Sequence, residues 1–125
     1  MIDPKELRIG NLVLLYNDEC AITEIGYKES HLESEHFVTT AIFDIVDPIP
    51  ITPEWLERMG IYWDIYWQGR TDGNWVITEG NEHGNWRIAY GKRRNDIIMW
   101  NLKYVHQLQN LYFALTGTEL TIHPE

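Results

Sequence analysis

Tyr104-Val105-His106-Gln107-Leu108-Gln109-Asn110-Leu111-Tyr112-Phe113-Ala114-Leu115-Thr116-Gly117 is the stretch that decides the fold. At about 100° per residue, Tyr104, Val105, Leu108, Leu111, Tyr112 and Leu115 fall within an arc of about 120°, the width of a core-facing stripe. The spacing predicts an amphipathic helix over residues 104–115, with Gly117 supplying a left-handed stop. One apolar face must be covered, so the helix implies a sheet for it to pack on. Phe113 projects about 180° away from Tyr104, on the side of His106, Gln109 and Asn110. An aromatic ring among polar groups implies a second layer over that face or contact with a partner, which makes His106, Gln109 and Phe113 the candidate partner-binding residues.

Upstream the period changes from helix to strand. Ile61, Trp63, Ile65 and Trp67 alternate with Tyr62, Asp64, Tyr66 and Gln68, the pattern of one strand with one buried face. Residues 69–74 are turn-like, and apolar runs at 75–78, 86–90 and 97–100 are separated by Gly- and Asn-rich turns, giving a meander of about four strands. Before it, Thr52-Pro53-Glu54-Trp55-Leu56 reads as a helix start. Thr52 is the N-cap, Pro53 takes the first helical position, and Ile51 and Leu56 flank the cap as a hydrophobic staple. Gly60 stops this helix after about two turns.

The first fifty residues are β-rich. Residues 12–16 and 20–25 read as two antiparallel strands joined by the polar turn Asn17-Asp18-Glu19, residues 26–35 as an acidic mobile loop, and residues 37–46 as another strand. Leu7-Arg8-Ile9-Gly10-Asn11-Leu12-Val13, a turn feeding a strand, is how many SH3-like barrels begin, an analogy of fold alone. The fold class that results is α+β: a small β-rich, SH3-like N-terminal unit, a short helix, an antiparallel meander, and the C-terminal helix packed on the sheet. No repeat or Gly/Ser-rich linker marks a boundary, so residues 1–125 read as a single domain. The alternative is a β-rich unit 1–50 followed by a helix-meander-helix unit 51–125.

Composition narrows the function classes. With 44% hydrophobic and 23% charged residues the chain is globular. A lone Cys20 forms no internal disulfide, the start lacks the pattern of a signal peptide, and no apolar run approaches spanning length, so a cytoplasmic protein without a membrane partner is expected. Net charge is −9: residues 1–60 hold 12 acids against 4 Lys/Arg, and residues 61–125 hold the remaining 7 against 6. A field of that sign repels phosphate backbones.

Glu6-Leu7-Arg8-Ile9-Gly10-Asn11, Pro50-Ile51-Thr52-Pro53-Glu54-Trp55-Leu56 and the C-terminal block quoted first resemble a family of small uncharacterised bacterial proteins, often borne by prophages or other mobile elements. The resemblance spans most of the chain, and its last block is the most specific. The family has no established activity, so the resemblance implies no catalytic residues. The acidic segment from Glu29 to His36 departs from its pattern.

Candidate chemistry is sparse. His31, Glu33, Glu35 and His36 are metal-ligand types within six residues, but without a signature spacing the plainer reading is a solvated loop. Cys20, in an apolar strand, reads as a small buried hydrophobe. No nucleotide-binding, hydrolase or zinc-ribbon motif occurs, so no cofactor and no enzymatic activity are expected. Six Trp residues favour a core of alternating Trp and Ile, while Lys92-Arg93-Arg94 reads as a solvated turn. The leading functional reading is a non-enzymatic accessory protein acting through an unidentified protein partner or self-association. Its rivals are a nucleic-acid-associated module using the aromatic and basic second half, and an acidic mimic using Glu29, Glu33 and Glu35 to occupy a basic site on a host protein.

Overall fold

The computed structural model describes residues 4–26, 28–64, 69–73, 75–79, 85–90 and 96–123. The fold is α+β, with two five-stranded antiparallel sheets, one short helix and a C-terminal helix. The chain divides into two compact units, one of Met1–Ile49 with Tyr104–Thr118 and one of Pro50–Lys103 with Glu119–Glu125. The C-terminal helix therefore belongs with the N-terminal strands, not with the meander that precedes it in sequence.

In the first unit, β1 (Leu12–Leu15), β2 (Asp18–Ile25), β3 (Glu29–Glu33), β4 (Val38–Ile42) and β5 (Val46–Asp47) form a sheet in the order β4-β3-β2-β1-β5. A 3₁₀ helix, Phe43–Ile45, turns the corner between β4 and β5, and β5 returns to pair with β1. This is the connectivity of SH3-like barrels. The inward face of the sheet supplies one core of Val13, Leu15, Cys20, Ile22, Leu32, Ala41 and Val46, joined by Leu7 and Phe43.

Two expectations fail here, each for a local reason. Tyr16, read as the end of the first strand, is in the turn: Tyr16 and Asn17 have φ of 50° and 66°, and Leu15 pairs with Asp18. Two consecutive positive φ values define a type I′ turn, whose twist matches that of the flanking strands. The acidic stretch read as a mobile loop is largely strand β3. Ser30 and Leu32 are fully buried while Glu29, His31 and Glu33 face outward. Leu32 is the one large apolar side chain in β3, so alternation was present with little hydrophobic signal. Its burial is worth about 1.5–3 kcal/mol.

In the second unit, α1 (Pro53–Arg58) starts as the sequence predicts: Thr52 Oγ1 accepts the Trp55 N–H at 3.3 Å, and Ile51 and Leu56 are both buried. Five strands follow in sequential order: β6 (Tyr62–Asp64), β7 (Gly69–Thr71), β8 (Trp75–Glu79), β9 (Trp86–Tyr90) and β10 (Asp96–Leu102). Residues 69–71, read as turn, pair with β6 in the register Tyr62↔Thr71 to Asp64↔Gly69. The single buried face expected from Ile61 does not extend to Trp63, which is 63% exposed beside an exposed Tyr62. Trp55 and Trp86 are core, and the Trp86 indole N–H donates to the Ile51 carbonyl at 3.2 Å. Ile65 to Gln68 and Lys92-Arg93-Arg94 lie outside the described residues, as does the side chain of Trp100. The tail returns to α1, where His123 N–H donates to the Arg58 carbonyl and Arg58 Nε to the His123 carbonyl. Among the described residues no helix is long and apolar enough to cross a membrane.

Helix α2 (Val105–Thr116) runs against β1 in the first unit. Its entry is fixed by Gln107 Oε1, which accepts the Tyr104 N–H at 3.1 Å, and its exit by Gly117 at φ 72°. Val105 and Leu108 are the fully buried apolar side chains of its first half, whereas Leu111 and Tyr112 are half-buried and Leu115 is exposed.

Candidate functional site

Two regions of the first unit concentrate chemically capable side chains: the polar seam between α2 and the chain entry, and the outward face of β2, β3 and β4.

The seam joins the first and last sequence blocks quoted above. Arg8 and Asn11 bracket a turn in which Gly10 takes φ 93°, and the Arg8 N–H donates to Asn11 Oδ1 at 2.7 Å. This turn sets its polar groups against the helix. Arg8 Nε and Asn11 Nδ2 each donate to Asn110 Oδ1 at 2.8 Å, while Asn110 Nδ2 donates to the Glu6 carbonyl. Gln109 bridges two backbone groups, its Oε1 accepting the Leu12 N–H at 2.9 Å and its Nε2 donating to the Gly10 carbonyl at 3.3 Å. The Arg8 guanidinium lies 4.6 Å from the Phe113 ring centroid, a cation–π contact. One stretch of seven residues thus meets three helix side chains, Gln109, Asn110 and Phe113.

His106 sits in the same seam with no exposed surface. Its Nε2 is 3.0 Å from Glu6 Oε2, its ring stacks on Tyr104 at 5.8 Å between centroids, and its Nδ1 meets no hydrogen-bond partner among the described residues. An ionised carboxylate only accepts, so Nε2 carries the proton of this bond. A general base must reach the proton it removes. A fully covered imidazole bonded to a carboxylate instead holds two chain segments together.

The candidate partner-binding residues are thereby redistributed. His106 and Gln109 do not stand on an open helix face, because residues 6–12 form the layer that covers it. Phe113 is 40% exposed under the Arg8 guanidinium. The helix periodicity left a covering layer and a partner as alternatives, and it could not name residues 6–12 as the layer, since that segment lies about a hundred residues earlier in the chain.

The outward sheet face is built by the pleat. Cross-strand register aligns Ala21, Glu33 and Val38 in one row, Glu24, His31 and Thr40 in the next, and Glu29 with Ile42 in a third. His31 ties the middle row, with Nε2 3.9 Å from Glu24 Oε2 and Nδ1 3.2 Å from Thr40 Oγ1. All three glutamates are exposed, and Val38 and Ile42 stand beside them at 75% and 49% exposure.

The metal-ligand candidates do not converge. His31 and Glu33 are on this face, whereas Glu35 and His36 form the tip of the β3–β4 hairpin, where Ser34 Oγ accepts the His36 and Phe37 N–H groups. His36 Nδ1 lies 3.6 Å from Asp18 Oδ2. Among the described residues no group of three or more His, Cys, Asp or Glu side chains is placed to hold a metal ion. Cys20 is buried in the core, and desolvation there, aided by the nearby Asp18 charge, pushes its thiol pKa up. In the second unit Trp63, which the sequence pattern assigned to core, is exposed beside Tyr62, and Arg70, opposite Trp63, reaches Glu57 at 3.6 Å.

The chain matches no protein-family model, no curated protein and no solved structure.

Proposed function

We propose that the protein acts by contact with another protein, presenting the outward face of β2, β3 and β4 to a basic region of its partner, and that it performs no catalysis. The observation that carries this reading is the alignment of exposed Glu24, Glu29 and Glu33 around His31, with exposed Val38 and Ile42 alongside. Carboxylates set beside exposed apolar side chains combine the two terms of protein recognition. The charges steer encounter and select the sign of the partner, and the apolar groups gain from burial once it arrives. The whole-chain charge of −9 reinforces the selection and opposes nucleic acid. An accessory protein that occupies a basic site on a host protein fits the same chemistry.

Affinity capture from a host lysate, read by mass spectrometry, tests the reading. Wild-type protein should retain a partner with a basic surface or segment, released by raising salt. The combined variant Glu24→Gln, Glu29→Gln and Glu33→Gln should lose it. An unchanged captured set, or a partner indifferent to salt, would refute the acidic face as the point of contact.

A further inference from the structure

The geometry points to β4 as a docking strand that takes up an extended, basic segment of the partner by adding it to the edge of the first unit's sheet. This rests on the acidic-face reading and goes further, naming the strand, the bonds and the conformation of the segment.

β4 is the terminal strand of its sheet, paired on one side with β3. Which of its backbone groups face outward follows from the register. Ser34 N–H donates to the Phe37 carbonyl and Phe43 N–H to the Lys28 carbonyl, so the pairs Ser34↔Phe37 and Lys28↔Phe43 are of the hydrogen-bonded kind. Antiparallel pairs alternate, and the β3–β4 register runs without a bulge, so Ser30↔Ala41 and Leu32↔Thr39 are also bonded while Glu29↔Ile42, His31↔Thr40 and Glu33↔Val38 are not. The Gly26 N–H, which donates to the Glu29 carbonyl at 2.8 Å, confirms the phase, because Glu29 then turns its backbone toward β2. Val38, Thr40 and Ile42 therefore aim their N–H and C=O groups away from the sheet.

These same three residues carry the exposed side chains of β4. Sheet edges are ordinarily blunted by lysine, proline or a bulge, and Val-Thr-Thr-Ala-Ile has none of them. A segment laid along this edge finds three donors and three acceptors in strand geometry, which is how β-augmentation gains affinity, while side chains on the shared face set specificity.

Charge selects the occupant. Neighbouring strands are about 4.8 Å apart, so Glu29 and Glu33 on β3 lie about 10 Å from an added strand, a gap that a lysine or arginine side chain and a glutamate close from both sides. A second copy would bring another −9 charge and its own glutamates to the same edge. The complement is a foreign segment with cations at alternate positions.

Binding of fluorescently labelled Lys-Val-Lys-Val-Lys-Val-Lys to the full chain, read by anisotropy, tests this. The peptide should bind with salt-sensitive affinity, and its glutamate counterpart should not. N-methylation of alternate residues should weaken binding at least about tenfold in one phase and leave it unchanged in the other, since only one set of amides faces β4. Thr40→Pro removes an outward N–H without breaking a ladder bond, so it should fold and bind at least about tenfold more weakly. Val38→Lys with Ile42→Lys, which leaves the backbone intact, should do the same. Equal effects of the two methylation phases, or unimpaired binding by both β4 variants, overturn the inference. If the Glu24→Gln, Glu29→Gln and Glu33→Gln variant alone then loses the peptide, the acidic face stands without strand addition; if it too binds normally, both readings fall. Equal binding of the glutamate peptide refutes the basic occupant, and self-association that disappears in Thr40→Pro assigns the edge to a second copy instead.

Discussion

Gln109 spans the Leu12 N–H and the Gly10 carbonyl from a nearly buried position, so truncating it removes the partner of two backbone groups and the packing of a buried side chain. Gln109→Ala should lower unfolding stability by about 1–3 kcal/mol, measured by urea denaturation, whereas a change at an open helix face would fall within about 0.5 kcal/mol. Cys20 gives a prediction in pH. Its raised thiol pKa means that the unfolded chain loses the proton first as pH increases. The unfolded state then binds fewer protons than the native one, and the slope of stability against pH is negative. The Cys20 contribution is complete below the ordinary thiol pKa of about 8.5 and is lost as pH rises through the folded value. Cys20→Ser should flatten this alkaline decline, and the native thiol should resist labelling by a thiol reagent until the protein is unfolded.

At the scale of elements, the β1–β2 hairpin is less stable than its geometry allows. Tyr16 holds φ 50° at a position where a Cβ is disfavoured and is 80% exposed, so little packing offsets the strain. Tyr16→Asn with Asn17→Gly supplies the preferred type I′ pair and should raise stability by roughly 1 kcal/mol, read as a higher denaturation midpoint at unchanged slope. The two helices were legible in sequence because their signals are local: Thr52 and Pro53 at one start, Gly117 at one end, and an apolar stripe between. β3 was not, because Leu32 is its one large apolar residue and its four polar neighbours, Glu29, Ser30, His31 and Glu33, masked the alternation. Trp63 misled in the opposite direction, since its place in a period-two pattern carried no information about which strand would cover it.

For the molecule as a whole, the sequence order of elements hides their grouping. α2 follows the meander in the chain but completes the N-terminal unit, because Arg8, Asn11 and Glu6 meet Asn110 and His106 across about a hundred residues. The helix side that sequence left to a covering layer or a partner is covered at His106 and Gln109 by this seam, with Phe113 still exposed, and the acidic stretch that looked like loop is a sheet face next to an open edge. The candidate site moves accordingly from α2 to β3 and β4, where sequence offered the glutamates but neither their alignment nor the free backbone of Val38, Thr40 and Ile42. Amide chemical-shift mapping of the isotope-labelled full chain, titrated with the alternating lysine–valine peptide, tests this most directly. The account predicts saturable shifts at Val38, Thr40 and Ile42 and along Glu24, Glu29 and Glu33, with slowed hydrogen exchange at the three β4 amides. Shifts centred instead on α2 or on Tyr62 and Trp63, with β4 unmoved, would contradict it.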